Sequence, residues 1–122
     1  MASVAEIELF LKDFKVKLGI WGLLIQGRLN QKNFKTMTEL EFQIEDVKAI
    51  LKELKFDDYC EGPLPDLLYK RSDMWVFGKQ VKKREVYIKI TIGSASDRVI
   101  CISFHFAEHT LKYPHKKQSS SS

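Results

Sequence analysis

Residues 84–106, REVYIKITIGSASDRVICISFHF, constrain the fold more than any other stretch of the chain. Two segments of alternating residues flank the cluster Gly93-Ser94-Ala95-Ser96-Asp97, a pattern that predicts a β-hairpin. Folding about Ala95 pairs Ile90 with Ile100, Ile88 with Ile102 and Val86 with Phe104. The large aliphatics then share one face, as a half-buried sheet requires. The other face carries Glu85, Tyr87, Lys89 and Thr91 on the first strand, and Cys101, Ser103 and His105 on the second. In this register Glu85 lies opposite His105, Tyr87 opposite Ser103 and Lys89 opposite Cys101. An acid, a phenol, a lysine, a hydroxyl and an imidazole gathered on one sheet face make a candidate working surface.

A third strand extends the same logic. Residues 73–79, DMWVFGK, read as a strand joined antiparallel to the hairpin through a tight turn at Lys82-Lys83. Trp75 then pairs with Ile90 and Phe77 with Ile88 on the apolar face, while Val76, Gly78 and Gln80 fall on the polar one. Gly78 opposite Tyr87 leaves space above the phenol, as a substrate groove needs. Upstream, Ser3-Val4-Ala5-Glu6 has the form of a capping box. Ile7, Phe10, Leu11, Phe14 and Leu18 follow at helical spacing, and Gly19 is the expected stop. Residues 20–26 read as a strand, 27–30 as a turn and the basic run 31–37 as a loop, from which Arg28, Lys32 and Lys35 could reach phosphates. A second helix is predicted over residues 44–54, with Val47, Ile50, Leu51 and Leu54 on one face. Acids in its first turn and lysines near its last suit the helix dipole. Residues 56–61 suggest a short extended piece, and Gly62-Pro63-Leu64-Pro65-Asp66 interrupts regular structure. The expected architecture is α+β, two N-terminal helices packed on a twisted, mostly antiparallel sheet. Residues 1–117 would form one domain, with a disordered serine-rich tail over 118–122.

Composition narrows the function classes. No apolar run approaches the roughly 20 residues of a membrane span. The acidic N-terminus is unlike a signal peptide, and Cys60 and Cys101 form no CxxC pair. A reduced, cytoplasmic chain is expected. The net charge of +4 is unevenly distributed. Residues 1–64 hold nine Lys/Arg against eleven Asp/Glu, whereas residues 65–122 hold eleven against five. A basic, strand-rich half suits a polyanionic partner such as RNA, or equally a set of lysines that keep sheet edges soluble. If RNA is the partner, Arg71, Lys79, Lys82, Lys83, Arg84 and Arg98 are the candidate contacts.

Several chemistries can be weighed on these residues. His105-Phe106-Ala107-Glu108-His109 fits the HxxEH pattern of inverted zinc peptidases. That chemistry needs both histidines on one helical turn, and here the motif closes a strand, so no metal is expected. Phosphate-cradling glycine motifs and a GxSxG elbow are absent. Cys101 and His105, four residues apart on one strand face, raise a thiol nucleophile, though cysteine is more often a small packed residue. Cofactor-free RNA cleavage suits the polar face better. It needs a base for the ribose 2′-OH, an acid for the leaving 5′-oxygen and a cation beside the phosphate. His105 can serve as acid or base, with Glu85 orienting it; Lys89 and Lys70 can stabilise the phosphate, and Tyr87 can hold phosphate or stack on a base. On pattern alone, solvated cross-strand pairs explain the same residues.

The segment LYKRSDMWVFGKQVKKREVYIKITIGSASDRVICISFH resembles the C-terminal sheet of the MqsR-type toxins, bacterial mRNA interferases with a RelE-like fold. The matching features are Tyr69-Lys70 ahead of the sheet, Trp75, the strand Val86-Tyr87-Ile88-Lys89-Ile90 and the closing Ile102-Ser103-Phe104. The resemblance implies the toxin of a type II toxin–antitoxin pair, a metal-independent endoribonuclease acting on mRNA. It implies an antitoxin partner, often one with a helix-turn-helix domain. In that family a lysine before the sheet, the tyrosine of the VYxKI strand and a lysine after the final SF support cleavage. The first two fall on Lys70 and Tyr87. The third falls on His105, and a family glutamine falls on Val76, so the chain departs from the pattern at two places. The alternative is a non-catalytic RNA- or protein-binding module on the same scaffold.

Overall fold

A computed structural model describes residues 1–27 and 31–117. The expected turn residues Arg28, Leu29 and Asn30 and the serine tail lie outside the described residues.

The first helix, α1 (Val4–Trp21), starts at the predicted capping box: the Glu6 N–H donates to Ser3 Oγ at 3.1 Å, and the Ser3 N–H donates to Glu6 Oε1 at 2.9 Å. It buries Ile7, Phe10, Leu11, Phe14 and Leu18. Gly19 does not end it. Glycine inside a helix costs only about 1 kcal/mol. The stop comes at Gly22, whose φ of 89° suits a residue without Cβ and whose N–H reaches the Leu18 carbonyl. What was expected as a seven-residue strand is therefore helix up to Trp21 and a short β1 (Leu23–Ile25).

The basic run 31–37, expected as a loop, is the start of a helix, α2 (Lys32–Leu40), so three helices precede the main sheet rather than two. Its buried residues are Asn33, Thr36, Met37 and Leu40. That is a helical stripe in which the first two places are polar. The next helix, α3 (Ile44–Lys52), buries Val47 and Leu51, as predicted. A single 3₁₀ turn at Phe56–Asp58 leads into β2 (Tyr59–Leu64), which runs through Gly62-Pro63, where the sequence suggested a break.

The remaining strands are β3 (Met74–Val81), β4 (Arg84–Thr91) and β5 (Val99–Phe106), and the sheet order is β1-β5-β4-β3-β2. β1 runs parallel to β5 while the other neighbours are antiparallel. The fold is α+β as expected, but the sheet is mixed rather than mostly antiparallel. The β3–β4 register is the predicted one throughout, with Trp75 opposite Ile90, Phe77 opposite Ile88 and Gly78 opposite Tyr87. Lys82 and Lys83 take φ of 50° and 70°, as a two-residue primed turn requires.

The β4–β5 register differs from the expected one. Ile90 pairs with Cys101, Lys89 with Ser103, Ile88 with Phe104, Tyr87 with His105 and Val86 with Phe106. Ile102 is the extra residue of a β-bulge, and it shifts the phase of the strand. Cys101 and Phe104 therefore both point into the core, and Ile102 lies outside the core cluster.

One apolar cluster joins the helices to one face of the sheet, with the Phe10 ring stacked on Trp75 at 4.5 Å. Where β1 ends, α2 takes over beside β5. Asn33, fully buried, donates through Nδ2 to the Gln26 and Ile102 carbonyls and accepts the Phe104 N–H at Oδ1. Thr36 Oγ1 accepts the Phe106 N–H. These side chains hold the strand segment that presents Ser103 and His105 on the opposite face.

Candidate active site

On the face away from the helices, alternation sets out Val76, Gly78 and Gln80 from β3, Glu85, Tyr87 and Lys89 from β4, and Ser103 and His105 from β5. The chain then turns back over this face. Residues 107–117 form a strap, tied where the Ala107 N–H donates to the Glu85 carbonyl. The Glu85 carboxylate accepts the Tyr113 hydroxyl at 2.7 Å and the Leu111 N–H at 3.4 Å. At the far end His115 Nε2 donates to the Ala2 carbonyl at 2.9 Å.

The strap fills the expected groove above Gly78. A Cβ on Gly78 would overlap the Tyr113 hydroxyl and Leu111 Cδ1, so glycine here admits a crossing segment rather than a substrate. It also changes the part played by Glu85. The carboxylate holds the strap and does not sit opposite His105, because the β4–β5 register is shifted from the expected one.

What remains open is a cleft of about 340 Å³ lined by Tyr87, Lys89, Ser103, His105, Glu108, His109 and Leu111. The Tyr87 and His105 rings stack across the strands, 5.2 Å between centroids and 17° from parallel. His105 is 9% exposed, and its Nδ1 lies 3.1 Å from the Phe106 carbonyl. A carbonyl can only accept, so Nδ1 carries the hydrogen and the neutral ring keeps its lone pair on Nε2. Burial raises the Tyr87 phenol above its ordinary range, with the charges of Glu61 and Cys60 adding to the effect. It stays protonated at neutral pH and serves as a hydrogen-bond donor.

Two further grooves adjoin the cleft at Glu108, the first of them also at His105. One is bordered by Lys32, Lys35, Thr36 and Glu39 of α2 with Arg84, the other by Arg84, Glu85 and His109. Lys32 pairs with Glu108 at 2.7 Å, and that hydrogen bond holds the exposed carboxyl below its ordinary range.

The structure thus brings Tyr87, Lys89 and His105 together and leaves Glu85 and Lys70 out of the cleft lining. Lys70 sits in the turn before β3, its N–H on the Asp66 carbonyl. Most of the expected RNA contacts have partners within the protein. Arg71 donates to Asp66 at 2.7 Å, Arg84 pairs with Glu39 while covering the Phe106 ring, and Arg98 lies 3.9 Å from Asp97. Lys82 donates to the Leu40 carbonyl. Lys79 lies on the helix side, 3.3 Å from Asp58, away from the cleft. Lys83 is exposed at the β3–β4 turn.

The cysteine chemistry does not assemble. Cys101 faces the core, while His105 faces the cleft. Burial pushes both the Cys101 and the Cys60 thiols up to about 12. At pH 8 the thiolate fraction is then of order one in ten thousand. Neither cysteine is expected to react with a disulfide reagent such as DTNB within minutes in the native protein, and both should react in guanidinium. Fast native labelling would contradict this burial.

Among the described residues no three His, Cys, Asp or Glu side chains are grouped to hold a metal ion. Among them, too, no helix is long and apolar enough to cross a membrane. The strap is the part of the site that the sequence reading missed, and Glu108 and His109 were weighed there only as part of the zinc pattern. The one available hint was Gly78 itself, whose missing side chain signals something close above it.

A sequence model of one family, described as "Motility quorum-sensing regulator, toxin of MqsA", matches residues 24–106. The match runs from β1 to the end of β5 and contains Tyr87, Lys89 and His105. No curated protein sequence and no solved structure matches the chain.

Proposed function

Because the chain belongs to the MqsR toxin family, the toxin side of a toxin–antitoxin pair, we propose that it is an endoribonuclease that cleaves mRNA in the cytoplasm with side chains alone. Its antitoxin would then be the protein that neutralises this activity; a helix-turn-helix domain on that partner is part of the same reading.

The observation that carries the proposal is the stacked Tyr87–His105 pair, with His105 Nδ1 committed to a backbone carbonyl. Nε2 of His105 takes the proton of the ribose 2′-OH, and the freed oxygen attacks the adjacent phosphorus. The Lys89 ammonium and the Tyr87 and Ser103 hydroxyls line the same cleft and supply positive charge and donors for the developing phosphorane. The P–O5′ bond breaks, leaving a 2′,3′-cyclic phosphate and a 5′-hydroxyl. His105 stands where the family pattern has a lysine, and an imidazole is better suited than an ammonium to accept a proton near neutral pH.

The test is incubation of the full chain with single-stranded RNA in EDTA, followed by end-group analysis. Fragments ending in 2′,3′-cyclic phosphate and 5′-hydroxyl are expected. Intact RNA overturns the reading, and salt-dependent binding without cleavage would mark a non-catalytic RNA-binding module.

A further inference from the structure

The HxxEH run was set aside because it closes a strand, where its two histidines do not share the helical turn that the zinc chemistry needs. β5, however, ends at Phe106, and the chain turns at Glu108 and His109 before the strap crosses the sheet. The turn brings His109 back to the cleft that His105 lines, together with Tyr87, Lys89 and Ser103. The Glu108 carboxylate, held chiefly by Lys32, is influenced by both imidazoles, which agrees with the three groups lying close together. The strap also fixes where His109 stands. Glu85 holds Leu111 and Tyr113, two and four residues beyond it, so His109 hangs from an anchored segment. This segment lies past residue 106, where the family match ends.

Resting on the ribonuclease reading above, we propose that His109 is the general acid of the cleavage step, paired with His105 as its base. As the 2′-oxygen bonds to phosphorus, its proton passes to His105 Nε2. The P–O5′ bond breaks, and the departing 5′-oxygen takes a proton from the His109 imidazolium. One proton is gained and one lost by the protein, and solvent resets both rings. The charged groups facing His105 are Lys32, Lys35 and Glu39 from α2, Arg84 and Lys89 from β4, and Glu108. Those facing His109 are Arg84, Glu85, Lys89 and Glu108.

A substrate whose leaving group needs no proton separates the two roles. The wild-type chain and His109→Gln are compared on RNA across pH and on a ribonucleoside 3′-(4-nitrophenyl) phosphate. His109 is exposed, so the substitution leaves the core untouched. Wild type is expected to give a bell-shaped pH profile on RNA, since one group must be free of its proton and the other must carry one. His109→Gln is expected to lose about 100-fold on RNA together with the alkaline limb, while cleaving the nitrophenyl ester at close to the wild-type rate. RNA cleavage by His109→Gln at the wild-type rate with both limbs intact overturns the inference and leaves the ribonuclease reading standing. Equal losses on both substrates also overturn it, assigning His109 to binding. Intact RNA with the wild-type chain overturns both readings together.

Discussion

Replacing His105 with alanine is expected to lower single-turnover RNA cleavage by about two to four orders of magnitude, the usual worth of a positioned general base. The ring has two assignable ends: Nδ1 is engaged with the Phe106 carbonyl, and Nε2 is the remaining proton acceptor. Glutamine at this position keeps a polar side chain but cannot take a proton, so His105→Gln should lose nearly as much as alanine. Tyr87→Phe keeps the ring that stacks on His105 and removes only the hydroxyl. A smaller loss is expected there, about tenfold to a hundredfold, as for one hydrogen-bond donor to a charged phosphate. The fold should tolerate the histidine changes, because the stacked pair is worth only about 0.5–1.5 kcal/mol beyond its burial. Thermal melts of wild type and variants would establish this. Cleavage by a folded His105→Ala chain at the wild-type rate would remove the imidazole from the mechanism.

The parts of this site that were legible in the sequence are those whose geometry is set locally. The β3–β4 register could be read residue by residue because a two-residue turn at Lys82-Lys83 leaves no slack between the strands. The β4–β5 register could not. Its connection is longer, and the bulge at Ile102 inserts one residue that alternation does not reveal. Ile100, Ile102 and Phe104 look like one apolar stripe, yet the bulge puts Cys101 and Phe104 on the same side. His105 and Ser103 still reached the correct face, because the mispairing amounted to two residues by that point and period-two alternation is restored. The partner of His105 did change, from Glu85 to Tyr87. Glu85 was then free to serve the strap, a segment with no periodicity to announce it. α2 escaped for a different reason, since a helix is recognised by an apolar stripe and this one turns an amide and a hydroxyl inward.

That inward amide carries the largest expected effect on stability. Asn33→Leu keeps the approximate volume and removes three hydrogen bonds, those to the Gln26 and Ile102 carbonyls at 2.6 and 2.9 Å and that from the Phe104 N–H at 2.9 Å. The residue is fully buried, so water cannot easily replace the lost partners. Each stranded backbone group costs about 1–3 kcal/mol. A total loss of about 3–6 kcal/mol is therefore expected, against a whole-domain stability of about 5–15 kcal/mol. Thr36→Val, which removes only the acceptor of the Phe106 N–H, should cost about 1 kcal/mol. Urea denaturation of the three chains should give the order wild type, Thr36→Val, Asn33→Leu in falling midpoint. An Asn33→Leu unfolding free energy within about 1 kcal/mol of wild type would mean that β5 is held by its strand neighbours alone. The same substitution links stability to function, since the backbone that Asn33 holds carries Ser103 and His105 on its far side. In conditions where Asn33→Leu remains folded, its cleavage rate should still fall, because the strand that aims the imidazole has lost its outer support.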